Sequence, residues 1–160
     1  MEILICQSYL TKIVFDCHKF NAKQMVKLQL IEEILKNSKT IAVIGLKYSQ
    51  EQVAYKIPYY MHQHGYKIYG VNPMISGKEV LGEKVVDKIT EIKDKIDIVD
   101  IFRRPEYLAE HAKEILQMNP LPKYVWFQLG IYNDEAAKML EEKGIKVVQN
   151  RCIMVEHANL

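Results

Sequence analysis

The 160-residue chain has no basic block longer than the pair Arg103-Arg104, and its 22 Lys and Arg are nearly balanced by 20 Asp and Glu. The clustered positive face with which proteins grip nucleic acid is therefore missing. The three cysteines, Cys6, Cys17 and Cys152, are too few and too widely spaced for a CxxC motif or a zinc set. Reduced thiols in a cytoplasm are the simplest reading. No apolar run approaches the roughly 20 residues that span a bilayer, and the N-terminus lacks the basic start and small-residue cleavage site of a secretory signal. A cytoplasmic protein engaging neither nucleic acid nor membrane is expected.

Histidine is sparse as well. His62 and His64 are two apart and cannot share a helical face, and His18, His111 and His157 are scattered, so no metal site is expected. Nothing in the chain sets a nucleophile beside a base. No catalytic residue is nominated, and a binding role is favoured over an enzymatic one.

What is present is a chain 49% hydrophobic, long enough to bury about 70% of its unfolded surface as one domain. Residues 1–24 fit the rest poorly. The β-prone runs at 3–6 and 13–15 are compatible with an extra hairpin or sheet edge. The favoured expectation is a peripheral extension read from an upstream start, with Met25 the natural start and residues 25–160 the domain. Apolar spacing predicts a helix over 26–35, and the run Thr40-Ile41-Ala42-Val43-Ile44 predicts a strand ending at Gly45. Ser49 with Gln52 reads as a capping box for a helix whose apolar face would be Val53, Ile57, Tyr60, Met61 and His64. Pro58 inside that helix implies a kink, or a regular part that starts near it.

Further strands are predicted at 66–71, 96–102, 124–129 and 145–148. Residues 74–84 read as a loop, and 89–92 as one turn of helix at most. Helices are predicted from Pro105 to 118 and from Asp134 to 143, the second capped by Asn133. This alternation predicts an α/β fold: a three-layer, doubly wound, mostly parallel sheet of about five strands.

In such a sheet the ligand crevice lies beyond the carboxyl ends of the strands, where strand order reverses. The candidate lining is residues 45–52, 72–74, 102–105 and 128–130. NAD is disfavoured: the motif positions after Gly45 hold Lys47 and Gln50, and the second strand ends in Val71-Asn72-Pro73 with no carboxylate for a ribose. A phosphorylated ribose needs no such acid, and Lys47, Lys78 or Lys84 can balance its charge. Asp134 and Glu135 disfavour phosphate at the last of these helices, whereas Arg103 and Arg104 favour it at the helix after Phe102. Asp100, inside an apolar strand, needs hydrogen-bond donors, from the protein or from a ligand. Cys152, just past the last strand beside Arg151, is either a small buried residue or a thiol able to exchange with a bound thiol ligand.

The phrases Ile41-Ala42-Val43-Ile44-Gly45, His64-Gly65-Tyr66, Val71-Asn72-Pro73, Val80-Leu81-Gly82, residues 97–106, residues 125–130, Asn150-Arg151-Cys152 and Glu156-His157 carry a family resemblance. From about Ile34 onwards the chain resembles the small stand-alone CoA-binding proteins of bacteria and archaea, the YccU-like family. Their Rossmann-like fold is related to the N-terminal domain of the succinyl-CoA synthetase α subunit. The resemblance implies coenzyme A or an acyl-CoA along the strand ends, with the diphosphate near the first loop and the adenosine towards the second and third strand ends. On matching positions it nominates Gly45, Leu46, Asn72, Pro73, Phe102, Arg103, Arg104 and Pro105, to which the first loop adds Lys47 and Tyr48. The chain departs from the family pattern at Lys47, Gln52, Val53, Ala54 and Met74. Two alternatives stay open: a degenerate domain acting through protein partners, and a thiol-exchange protein using Cys152. Homo-oligomerisation is open too.

Overall fold

The computed structural model describes residues 22–160. The two β-prone runs and Cys6, Cys17 and His18 lie outside the described residues, as does the peripheral segment but for its last three. Helix α1 (Ala22–Asn37) contains the predicted 26–35 segment and belongs, up to Lys36, to a compact unit of its own. The second unit, Asn37–Leu160, holds the sheet.

Its elements run β1 (Thr40–Ile44), α2 (Val53–Gln63), β2 (Lys67–Val71), β3 (Glu79–Val80), β4 (Glu83–Lys84), β5 (Ile98–Ile101), α3 (Leu108–Ile115), β6 (Tyr124–Phe127), α4 (Asp134–Glu141), β7 (Lys146–Val148) and α5 (Ile153–Ala158). Five strands pair in the order β2-β1-β5-β6-β7, every pair parallel. These are Ile- and Val-rich runs because both faces of a parallel sheet are covered. One face presents Ala42, Ile44, Tyr69, Val71, Val99, Ile101, Val125 and Phe127 to Leu108, Ala112 and Ile115 of α3 and Ala136, Ala137 and Leu140 of α4. The alternate positions Ile41, Val43, Ile68, Ile98 and Trp126 bury on the opposite face, where α2 and α5 meet and bury Ile57, Met61 and Ile153. No helix among the described residues is long and apolar enough to cross a membrane.

From β1 the chain steps outward to β2 and then returns to the other side of β1 as β5, so strand order reverses between β1 and β5. That is the switch point at which doubly wound sheets open a crevice.

Three local expectations are corrected. Ser49 and Gln52 form no capping box: Gln52 is itself the N-cap residue, makes no side-chain cap and leads directly into Val53. Val53 is 62% exposed, so the buried positions of α2 are Ile57, Pro58 and Met61. The 74–84 segment is more than a loop. After a 3-10 turn at Pro73–Ile75 it forms the antiparallel β3–β4 ribbon through Leu81 and Gly82, whose φ of 54° and 86° suit a two-residue hairpin. Val86 then bridges Val71 beside β2 and covers the outer edge of that strand.

Pro58 sits inside α2 without displacing its start. A proline at 58 cannot donate to the carbonyl of residue 54. The Ala54 carbonyl accepts instead from the Lys47 amide at 3.2 Å. The proline thereby frees an acceptor, and the first loop uses it.

Candidate functional site

Gly45 closes β1 with φ +88°, and a Cβ built there would lie 2.6 Å from the Phe102 carbonyl oxygen. Only glycine lets the exits of β1 and β5 approach this closely. Its amide donates to the Val71 carbonyl at 2.9 Å, and the Phe102 amide donates to the Ile44 carbonyl at 2.9 Å, so the three exits are tied to one another.

The next residue turns inward. Leu46 is fully buried, and its Cδ2 occupies the space that a side chain at Gly70 would need, 2.4 Å from an ideal Cβ. Leu46 can therefore offer a ligand only backbone groups, and its carbonyl already accepts from Asn72 Nδ2 at 2.7 Å. Asn72 is a buried strut: its Oδ1 also accepts from the Met74 amide at 3.0 Å and caps the 3-10 turn.

Two hollows flank Arg103. The first, about 480 Å³, is lined by Gly45, Asn72, Pro73 and Arg103, together with Lys88 and Thr90 before β5 and the polar face of α3. The second, about 440 Å³, is lined by Gly45, Lys47, Phe102, Arg103, Arg104 and Tyr107. Gly45 and Arg103 belong to both. Among the ten residues predicted from sequence, Gly45, Lys47, Asn72, Pro73, Phe102, Arg103 and Arg104 are thus brought together. Tyr48 and Pro105 line neither hollow. Tyr48 lies under Lys78 Nζ, 4.7 Å from its ring centroid, and the Pro105 carbonyl accepts from Asn133 Nδ2 at 3.1 Å.

The cations of the second hollow are largely unneutralised. Arg103 lies over the Tyr107 ring at 5.2 Å, and Arg104 has Glu106 at 3.9 Å in an exposed pair worth little. Asn133 caps α4 through the Ala136 amide at 3.0 Å, with Asp134 and Glu135 in its first turn, so that helix end is already supplied with negative charge.

Sequence reasoning missed the contribution of α3, whose Glu110, His111, Lys113 and Glu114 line the first hollow, with Gln117 in the turn after it. Their helical spacing, opposite Leu108, Ala112 and Ile115, was the available signal.

Behind the crevice Asp100 is fully buried, and Gln128 Nε2 donates to both of its oxygens at 2.9 and 3.0 Å. Burial pushes the Asp100 carboxyl up to about 8, against the lowering effect of its hydrogen bonds from Gln128 and the Ile101 backbone. Cys152 is half-buried ahead of α5 and lines neither hollow. Arg151 beside it is paired with Glu156 at 2.7 Å. No group of three or more His, Cys, Asp and Glu among the described residues could hold a metal ion.

Comparison with known proteins places the chain among relatives of the same fold. A Bacillus subtilis relative, the uncharacterized protein YneT, is 44% identical over 128 residues, 80% of this chain and 92% of its own. A solved Thermus thermophilus structure, cell-free ID.343, is 39% identical with a TM-score of 0.78, covering 82% of this chain and 97% of its own. A hypothetical protein from Pyrococcus horikoshii OT3 is 39% identical with a TM-score of 0.77, covering 83% and 91%. The profile of the CoA binding domain matches residues 39–158, from the start of β1 to the end of α5 and across both hollows, and the chain belongs to that family.

Proposed function

We propose that this protein binds coenzyme A or an acyl-CoA in the crevice around Arg103 and catalyses no reaction on it. The observation that carries this reading is the pair of hollows sharing Gly45 and Arg103 at the β1/β5 switch point. Between them they set Lys88, Lys113, Arg103, Lys47 and Arg104 around that point, cations suited to the phosphates of a nucleotide. Membership of the CoA binding domain family supports it.

In this reading the site comprises Gly45, Leu46, Lys47, Asn72, Pro73, Phe102, Arg103 and Arg104, with Tyr48 and Pro105 as its outer margin. Because the Lys47 amide is held by Ala54, the side chains of Lys47, Arg103 and Arg104 provide the charge for a diphosphate. The engagement of Arg151 by Glu156 weighs against activation of Cys152 for thiol exchange.

The test is calorimetric titration with CoA, 3′-dephospho-CoA and NADH. Saturable heat with CoA and none with NADH is expected. Absence of heat with either CoA form at protein concentrations near a millimolar removes the proposal.

A further inference from the structure

His111 stands on α3 in the first hollow, largely buried, with Nδ1 3.4 Å from Glu114 Oε2. A ring held this way carries its neutral-state proton on Nδ1, directed at the carboxylate. Nε2 is then an acceptor, with no hydrogen-bond partner among the described residues.

The charges around it balance. Lys88 from the segment before β5, Arg103 from the β5 exit and Lys113 on α3 stand against Asp87, Glu110 and Glu114. A phosphate entering the hollow brings roughly −1.5 to −2 charges and offers acceptor oxygens. It thus disturbs a neutral set and meets a second acceptor at Nε2. Lys88, Arg103 and Lys113 already carry their charge. Histidine is the side-chain type that gains one between pH 5 and 8.

We propose that His111 is the proton-accepting residue of this hollow, so that a phosphorylated nucleotide binds with uptake of a solvent proton at Nε2. The inference rests on the CoA reading above and adds a residue, a charge state and a pH dependence to it. Protonation turns Nε2 from acceptor to donor, completes a charge-assisted hydrogen bond to a phosphate oxygen and gives the hollow one net positive charge.

The experiment is calorimetric titration of CoA at one pH in buffers of differing ionisation heat, in which the dependence of the observed heat on the buffer counts the protons taken up. Wild-type protein is expected to take up a measurable fraction of one proton. Its affinity should rise as pH falls, by at most about tenfold per pH unit for each proton taken up with the ligand. His111→Gln, or His111→Asn if the first does not fold, should bind CoA more weakly, with a smaller buffer dependence and a shallower pH profile than wild type, what remains being the titration of the ligand's own phosphate. CoA binding without proton uptake in wild type, or uptake undiminished in the variant, overturns this inference and leaves the CoA reading standing. No CoA heat in wild type overturns both.

Discussion

Gln128 directs Nε2 at both oxygens of Asp100, while its own Oε1 is buried with no partner. Both Asp100 oxygens thus face a single donor, and the carboxylate has little else to offset its burial. Burial raises the carboxyl to about 8 from an ordinary 3.8, outweighing the lowering by the Gln128 and Ile101 hydrogen bonds. The native state thus holds a proton that the unfolded chain releases at lower pH, and stability falls as pH rises from about 4 to about 8. Each pKa unit corresponds to about 1.4 kcal/mol, so the loss amounts to several kcal/mol. Asp100→Asn removes the titration and keeps one carbonyl acceptor for Gln128 Nε2. Urea unfolding from pH 5 to 9 should show a midpoint that declines in wild type, stays level in the variant and is higher in the variant at pH 9; parallel curves would refute a neutral Asp100. Gly45 tests a different physics. Gly45→Ala demands a positive φ from an L-residue and forces a Cβ against the Phe102 carbonyl, so a loss of at least about 2 kcal/mol is expected by chemical denaturation.

Among the elements, α2 shows why a residue read as a defect was a connection. Proline in a helix signals a missing amide, but a linear pattern does not say which group takes the freed carbonyl. Here it is the Lys47 amide, seven residues before Ala54. Pro58→Ala restores a competing donor and should loosen the first loop while leaving helix content equal or higher. Hydrogen exchange at the Lys47 amide, faster in the variant, is the readout, and unchanged protection there would reject the link. Helix α5 escaped notice because six residues are too few for a 3.6 period to declare itself. The two-residue strands β3 and β4 escaped for the corresponding reason with a period of two. The α5 helix is held to α2 by His157, whose Nδ1 is 3.2 Å from Tyr60 Oη and whose ring lies edge-on to His64 at 5.0 Å. Burial, and then His64, push the His157 imidazole below its ordinary 6.5. Its contribution is present above that value and lost as pH falls through the lowered one. Amide protection of α5 should accordingly drop in mild acid before that of the sheet, and His157→Gln should reduce the difference.

For the whole molecule, the parallel sheet and its switch point were legible because buried parallel strands are written as unbroken apolar runs, each closed by a breaker such as Gly45, Asn72-Pro73 or Gly130. Of these breakers Gly45 and Asn72-Pro73 border the first hollow, whereas Gly130, with the rest of the 128–130 stretch expected to line the crevice, borders neither. The part contributed by α3 was not legible, since its polar face looks like any solvated helix until β2 and the turn before β5 are set opposite it. Leu46, nominated from the family resemblance, sends its side chain into the interior over Gly70, a placement that its neighbours in sequence do not signal, so that only its backbone faces the loop. With a net charge of only +2, the molecule offers little long-range attraction to an anion, so affinity must come from cations within the crevice. Arg103 borders both hollows and Arg104 only the second, which separates their effects. A lost charge-assisted hydrogen bond costs about 1.5 to 3 kcal/mol. Arg103→Glu should therefore weaken CoA by at least about tenfold, and Arg104→Glu by less. Both side chains are exposed, so thermal melting without ligand should match wild type in each variant. Calorimetry and melting on the same samples check the pair, and equal losses from the two substitutions would mean that the hollows do not act as one groove through Arg103.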